Sequence, residues 1–292
     1  MIRTLFTCIL LLLIHVLTAQ DDLLADLQAE EEPTQNITTA TFKGTRIING
    51  HSIETRDQGT LEFIISHRFG TVNSGAYQFW GLDQSNIRLA LEYALTDRLM
   101  AGLGRSSFEK TFDGFVKYRV LQQQTGVKKV PVSITWFSSA TIKTLKRFDG
   151  YPIDFTDRMA VTHQALIARK ITPALSLQIT PSYTFYELVE ENETSDHVWA
   201  LGVGGRMKVS KRVTINAEYF PQLVDKGSQY LDAFAIGVDI ETGGHVFQLQ
   251  LTNATAMIEK GFIGETTNDF FNGDIHFGFN ISRAFQIGNR DR

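Results

Sequence analysis

A strict alternation of apolar and polar side chains is the feature that most limits what this chain can fold into. It is clearest in residues 174–186, where Leu175, Leu177, Ile179, Tyr183 and Phe185 alternate with Ser176, Gln178, Thr180, Ser182 and Thr184. A period of two places successive side chains on opposite faces of a β-strand. The pattern therefore predicts a sheet with one apolar and one polar face.

Similar segments recur from Gly59 to the C-terminus of this 292-residue chain. We predict strands over residues 61–69, 86–95, 98–107, 112–121, 130–141, 159–170, 174–188, 197–209, 212–220, 232–241, 245–254 and 274–287. No stretch beyond the N-terminus approaches the roughly 18 apolar residues of a membrane helix. A search for long apolar runs does not detect a transmembrane β-strand, because its apolar and polar residues alternate and the mean hydropathy is low.

The connections between these strands alternate in length. Tight turns with Pro, Gly, Asp or Ser chemistry are predicted at 96–97, 172–173, 210–211 and 242–244, with 122–129 as a longer member of this set. Long polar loops separate them at 70–85, 142–158, 189–196, 221–231 and 255–273, and only 108–111 is short. Transmembrane barrels of bacterial outer membranes have short periplasmic turns and longer external loops. We therefore predict an all-β, antiparallel, up-and-down transmembrane β-barrel of about twelve strands over residues 59–292, with both termini periplasmic. A soluble β-sandwich also alternates and is the competing interpretation.

The N-terminal 58 residues divide into three parts. Residues 1–19 have a basic start, an apolar run and a small residue at Ala19, which is typical of a signal peptide; a retained membrane anchor is the alternative. Residues 20–40 are predicted to be an acidic, disordered periplasmic tail. Residues 41–58 fit either a plug that enters the lumen, a periplasmic strand or an ordered linker. Within this segment the plug or partner candidates are Phe42, Lys43, Arg46, Asn49 and His51.

The polar face of the predicted barrel carries charges of both signs. Its lumen-facing candidates are Arg88, Glu92, Lys117, Arg119, Gln178, Glu218, Asp239, Gln248 and His276. Such a face lines a hydrated lumen that binds or passes a polar solute, or it fills the interior with salt bridges. Twelve strands lie between the filled eight-stranded barrels and the open sixteen-stranded ones, so width leaves both readings open. Without its tail the chain is nearly neutral, which argues against a pore selective for one sign of charge.

The chemistry of a catalytic or metal site is not recognisable in the sequence. Cys8, the only cysteine, lies in the predicted signal peptide, so the mature chain has no thiol. Ser66 and His67 are adjacent and therefore point to opposite faces of a strand. The remaining histidines do not cluster with other ligands, and a structural zinc site needs four. We expect no catalytic residues, no metal, no cofactor and no nucleic-acid partner.

Several short motifs resemble an uncharacterised outer-membrane β-barrel family, the domain-of-unknown-function family 5777. They are FKGTRIINGHS at 42–52, FIISHRFG at 63–70, GLDQ at 81–84, LTDRL at 95–99 and GRSS at 104–107. The resemblance implies an outer-membrane barrel and carries over no activity or site residue.

The leading hypothesis for function is a pore or binding channel for small polar solutes, surrounded by outer-membrane lipid. The second is a structural barrel that docks a periplasmic protein through its N-terminal segment. The third is an outer-membrane lipid hydrolase, for which the sequence offers no triad.

Overall fold

The strand pairing of this chain closes on itself into a barrel. The computed structural model describes residues 34–146, 154–189, 195–224, 227 and 229–288. The predicted signal peptide and residues 20–33 of the predicted acidic tail lie outside them. The barrel strands are β2 (Thr60–Thr71), β3 (Ser85–Ala94), β4 (Leu99–Ser106), β5 (Thr111–Leu121), β7 (Ser133–Lys143), β8 (Met159–Lys170), β9 (Leu175–Tyr186), β10 (His197–Lys208), β11 (Val213–Phe220), β12 (Ala233–Thr242), β13 (His245–Thr252) and β14 (His276–Gln286).

Each of the twelve strands pairs antiparallel with its neighbours along the chain, and β14 pairs with β2 to complete the ring. The predicted fold class is thereby confirmed. The closing register sets Ile281 opposite Ile65 and Phe285 opposite Leu61. Closure removes the free strand edges, so every wall strand is hydrogen-bonded on both sides.

The barrel has two distinct ends. At the turn end lie the connections 95–98, 122–132, 171–174, 209–212 and 243–244, together with residues 57–59 and 287–288. At the loop end lie residues 72–84, 107–110, 144–146, 154–158, 187–189, 195–196, 221–224, 227, 229–232 and 253–275. The alternation of loop lengths in the sequence thus sorts the connections by end.

Several short elements lie outside the barrel wall. β1 (Gln35–Ile37) and β6 (Gln124–Gly126) form a two-stranded sheet at the turn end, although the sequence places residues 35–37 in a disordered tail and 124–126 in a turn. A helix, α1 (Glu259–Gly264), interrupts the longest loop. Short 3-10 turns occupy Val72–Ser74, Ala76–Gly81, Phe108–Lys110 and Thr156–Arg158. Among the described residues, no helix has the length and apolar character needed to span a membrane.

Period-two alternation decides which side chains face out. In β9, buried and more exposed residues alternate along the whole strand. The apolar members of the pattern are the exposed ones: Leu89 is 45% exposed and Ile236 is 39% exposed. The polar members point inward and are buried. This apolar-out, polar-in arrangement is the one that transmembrane barrels have and the inverse of a soluble sandwich.

Candidate functional site in the barrel lumen

The inner wall of the barrel carries the polar residues singled out in the sequence. Eight of the nine lumen candidates are buried, and the ninth, Arg119, is half-buried at the turn end of β5. The buried eight are Arg88, Glu92, Lys117, Gln178, Glu218, Asp239, Gln248 and His276. They are buried because the space enclosed by the wall is occupied.

Residues 41–56, which we call the inner segment, fill the lumen. The chain leaves β1 at the turn end, where Thr38 N donates to Gln123 O at 2.8 Å. It returns to the same end, where Thr55 Oγ1 donates to the carbonyl oxygen of Asp97 at 3.0 Å. Between these points Ile48 and Ser52 are buried at 2% and 0% exposure. The inner segment is therefore a loop that enters and leaves the barrel through the turn end.

The centre of the inner segment is a tight hairpin. Ile47 N donates to Gly50 O at 2.9 Å, and Ser52 N donates to Thr45 O at 3.0 Å. The Asn49-Gly50 pair supplies the turn chemistry. Gly50 also lies against the wall, since a Cβ there would come within 2.8 Å of the Phe220 ring. Glycine thus allows the tip to approach β11 closely.

Glu218 on β11 holds the tip of this hairpin. Its carboxylate accepts the backbone N–H of Asn49 at 2.6 Å, of Ile48 at 3.3 Å and of Gly50 at 3.2 Å. Asn49 is also held from β2, because the Arg68 guanidinium donates to Asn49 Oδ1 at 2.5 Å. Hydrogen bonds to an ionised acceptor are roughly twice as strong as neutral ones. One wall carboxylate therefore binds three consecutive backbone N–H groups of the tip.

Two arginines of the inner segment pair with carboxylates of neighbouring strands. Arg46 donates to Glu92 Oε1 on β3 at 2.7 Å. Arg56 makes two hydrogen bonds to Glu62 on β2, one of them from Nε to Oε2 at 2.8 Å. Glu62 and Glu92 are direct cross-strand partners and both are 0% exposed. Like charges directly opposite each other destabilise a sheet, so this pair depends on the two guanidinium groups.

An apolar cluster forms the second part of the contact between the inner segment and the wall. Phe42, Ile47, Ile48 and Ile53 pack in one cluster with inward-facing wall residues that include Phe115, Phe137, Leu166, Ala168 and Ala235. His51 lies between two of these rings, 4.7 Å from Phe115 and 4.2 Å from Phe137 by centroid. Lys117 Nζ donates to the carbonyl oxygen of Glu54 at 2.5 Å. The predicted polar inner face is thus interrupted by a patch that matches the apolar side chains of the inner segment.

Lys43, the remaining plug or partner candidate, lies nearer the turn end. Its ammonium pairs with the half-exposed carboxylate of Glu241 at the end of β12. Exposed pairs of this kind contribute at most about 1 kcal/mol. Lys43 therefore adds little to the hold on the inner segment.

α1 and its flanking residues pack inside the loop end of the barrel. Residues 254 and 256–264 are all buried, so this loop folds into the barrel. The prediction of a wholly polar loop at 255–273 is therefore wrong for this part of it. The Tyr186 hydroxyl donates to Lys260 O at 2.6 Å, and the Phe262 ring packs edge-on against Phe220 at 5.0 Å. Lys260 Nζ bonds Glu265 at 2.8 Å. The loop thus reaches the inner face of the wall through both polar and apolar contacts.

The two inserted segments meet inside the barrel at His51 and Glu259. His51 Nε2 lies 3.5 Å from Glu259 Oε1, and His51 Nδ1 lies 2.9 Å from the Arg46 guanidinium. Burial raises the pKa of the Glu259 carboxyl to about 7. Burial and the neighbouring cations Arg46, Lys117 and Arg88 lower the pKa of His51 well below its usual value. Between the lowered pKa of His51 and about pH 7 both groups are therefore neutral, and in that interval their contact does not rest on opposite charges.

Potential catalytic or metal chemistry is sparse in the described part of the chain. It brings together no group of three or more His, Cys, Asp or Glu residues that could hold a metal ion. On the outer wall, Ser138 Oγ lies 2.9 Å from His163 Nδ1, a contact between β7 and β8 that the sequence pattern does not indicate. Ser138 and His163 are direct cross-strand partners, and this can be recognised only once the register of β7 and β8 is known. His276 Nε2 forms hydrogen bonds with Thr255 Oγ1 and Asn268 Nδ2, which anchor the loop before β14.

Comparison with known proteins identifies the family. Residues 42–285 match the family described as a membrane bound beta barrel domain, the domain-of-unknown-function family 5777. The chain belongs to this family. The suspected family relationship is thereby confirmed, and with it the membrane-bound character of the barrel. The match begins at Phe42, so it includes the inner segment as well as the wall.

Solved structures resemble the chain in a general way. The NanC porin is similar at 9% identity with a TM-score of 0.48, over 77% of this chain and 98% of that one. The KdgM porin is similar at 9% identity with a TM-score of 0.44, over 77% and 98% of the two chains. An outer membrane channel from Pseudomonas putida F1 is similar at 15% identity with a TM-score of 0.46, over 80% and 98%. Among curated proteins, none matches this sequence.

Proposed function

We propose that this protein is an outer-membrane channel for small polar solutes, closed in the present state by the inner segment and by α1. In this proposal the turn end faces the periplasm, as the short turns of bacterial barrels do. The channel opens when the inner segment withdraws through the turn end, leaving a lumen lined by polar and charged side chains.

The polar attachment of the inner segment is the observation that carries this proposal. Its backbone and its arginines bond to Glu218, Glu92 and Glu62 on the wall. Water can replace such bonds, which is why a hydrogen bond contributes only about 0.5–1.5 kcal/mol net to a folded state. A wall that is polar on its inner face can therefore exist filled or hydrated, whereas a uniformly apolar interior would stay dry.

Conductance in planar bilayers tests the proposal with a matched pair of full-length variants. Arg46→Ala removes a buried ion pair to Glu92, whereas Lys43→Ala removes a half-exposed pair to Glu241. We expect Arg46→Ala to raise the frequency of channel opening and Lys43→Ala to leave it near that of the unmodified protein. Deleting residues 20–52 while retaining the signal peptide should raise conductance further. Absence of current in all of these proteins would refute transport.

A second candidate function is docking of a periplasmic protein at β1. The three residues of β1 are exposed, and within the described residues its sheet contains only β1 and β6, so one edge of β1 is unpaired. An unpaired edge accepts an added strand from a partner. A photo-cross-linker at Ile37 should then capture one periplasmic protein in cells. The same cross-linker at Leu223, exposed at the loop end, is the control, and equal capture at both positions would contradict docking.

A further inference from the structure

We infer that the Glu62–Glu92 pair is a binding site for guanidinium or amine cations, occupied by Arg46 and Arg56 of the inner segment in the closed state and by a passing cationic solute in the open one. The transport part of this inference rests on the proposed function. The binding part concerns the closed barrel and can be tested without any conductance.

The wall places two carboxylates side by side, and each of them forms an ion pair with an arginine of the inner segment. Glu62 and Glu92 face each other across β2 and β3, where paired Cβ atoms are about 4.5–5.5 Å apart. The side chains lie fully inside the barrel, at 0% exposure. Two buried carboxylates at this separation need compensating positive charge.

The groups that bind this pair show which chemistry it accepts. Arg56 approaches Glu62 with two nitrogens, in the forked geometry by which guanidinium recognises a carboxylate. Thr45 Oγ1 adds a hydrogen bond to Glu62 Oε2 at 3.3 Å. Arg46 occupies only one oxygen of Glu92, and Glu92 Oε2 is buried with no hydrogen-bond partner among the described residues. The site is therefore built for guanidinium and retains an unfilled acceptor.

Withdrawal of the inner segment removes both arginines at once. Glu62 and Glu92 then line the lumen near the turn end as two uncompensated negative charges. The wall cation that competes for them is Lys117, which in the closed state bonds the carbonyl oxygen of Glu54 and would lose that partner too. Arg88 is held by Asp113, with Nε donating to Oδ1 at 2.9 Å. Arg68 also loses its partner Asn49, but it lies six residues from Glu62 along β2, about 20 Å away. Lys117 is therefore the wall cation that a solute with a guanidinium or ammonium group has to displace.

Chemical rescue of a full-length variant tests the binding site. Arg46→Ala removes the guanidinium from Glu92, and we expect its thermal unfolding midpoint to fall. Millimolar methylguanidinium chloride should then raise that midpoint by several degrees, because a ligand that binds only the folded state stabilises it. The double variant Arg46→Ala with Glu92→Gln should gain nothing. Tetramethylammonium chloride at equal ionic strength controls for salt, and Ile47→Ala, an apolar cavity in the same hairpin, controls for filling of space.

The outcomes separate this inference from the proposed function. Equal rescue of the single and double variants, or no rescue of a folded Arg46→Ala protein, overturns the cation site. If Arg46→Ala does not fold, Arg46→Gln replaces it, because it keeps most of the side-chain volume, and the same rise of its unfolding midpoint with methylguanidinium is expected. Rescue in a protein that never conducts supports the site and refutes transport alone. Conduction without rescue refutes the site alone.

Discussion

The carboxylate of Glu218 offers the sharpest perturbation of the closed state. It accepts three consecutive backbone N–H groups at the hairpin tip, from Ile48, Asn49 and Gly50. Glu218→Gln keeps the shape of the side chain but replaces one acceptor oxygen with a donor that faces those N–H groups. A buried donor left without a partner costs about 1–3 kcal/mol, so the loss of one to two such bonds spans about 1–6 kcal/mol. We take the middle of that range and predict that the tip is destabilised by about 2–4 kcal/mol.

Hydrogen exchange of the tip amides measures this effect directly. Each 1.4 kcal/mol is about a tenfold change in an equilibrium constant, so we expect Ile48, Asn49 and Gly50 to exchange roughly 30- to 1000-fold faster in Glu218→Gln. Asp239→Asn is the control, since Asp239 is also a buried inward carboxylate but bonds the wall residues Thr214 and Gln248. Unchanged exchange at the tip in Glu218→Gln would refute the view that this carboxylate holds the hairpin.

Two further predictions concern the faces of the wall and the response to pH. Ile236→Arg places a charge on the outward face and should destabilise the barrel by about 2–4 kcal/mol if the site is near the bilayer midplane. Asp239→Asn, on the inward face of the same strand, should cost less, and equal unfolding free energies for the two would contradict the face assignment. Burial raises the pKa of Glu259 to about 7 from an ordinary 4.5, so this group weakens closure as the pH rises through that interval. Burial and Arg46 lower the pKa of His51 below its ordinary 6.5, so this group weakens closure as the pH falls below that value. In Glu259→Gln only His51 still responds to pH, so we expect the channel to open at acid pH; in His51→Gln only Glu259 responds, so we expect opening at neutral pH. Open probability in planar bilayers measures both. Matching pH profiles of the two variants would refute the assignment.

The wall of the barrel was predictable from sequence because alternation acts locally. A strand with one face towards lipid and one towards the lumen must alternate, and each of the twelve predicted strands is present with ends shifted by at most three residues, as at residue 133 in place of 130. The Asn49-Gly50 turn signal also marks a real hairpin. Such features depend on neighbours in sequence, and a single chain displays them.

The interior was less predictable because it depends on register and on distant contacts. Phe115 and Phe137 share the inward face with Asp113 and Thr135, and only the position of the inner segment explains why apolar rings lie there. β1 pairs with a strand about 90 residues further along the chain, which local pattern does not indicate. α1 did leave a signal, because residues 254–263 contain an apolar series at odds with an exposed polar loop.

A cysteine lock tests most directly whether the inner segment closes the channel. The predicted mature chain lacks cysteine, so a pair can be introduced at Asn49 and Thr252, whose side chains are joined by a 3.2 Å hydrogen bond between Nδ2 and Oγ1. The oxidised double variant ties the hairpin tip to β13, and reduction frees it. We predict that channel openings in planar bilayers disappear on oxidation and return on reduction, while the conductance of each single-cysteine variant is the same under oxidising and reducing conditions. Equal conductance of the oxidised and reduced protein, with the disulfide verified by mass spectrometry, would contradict the account.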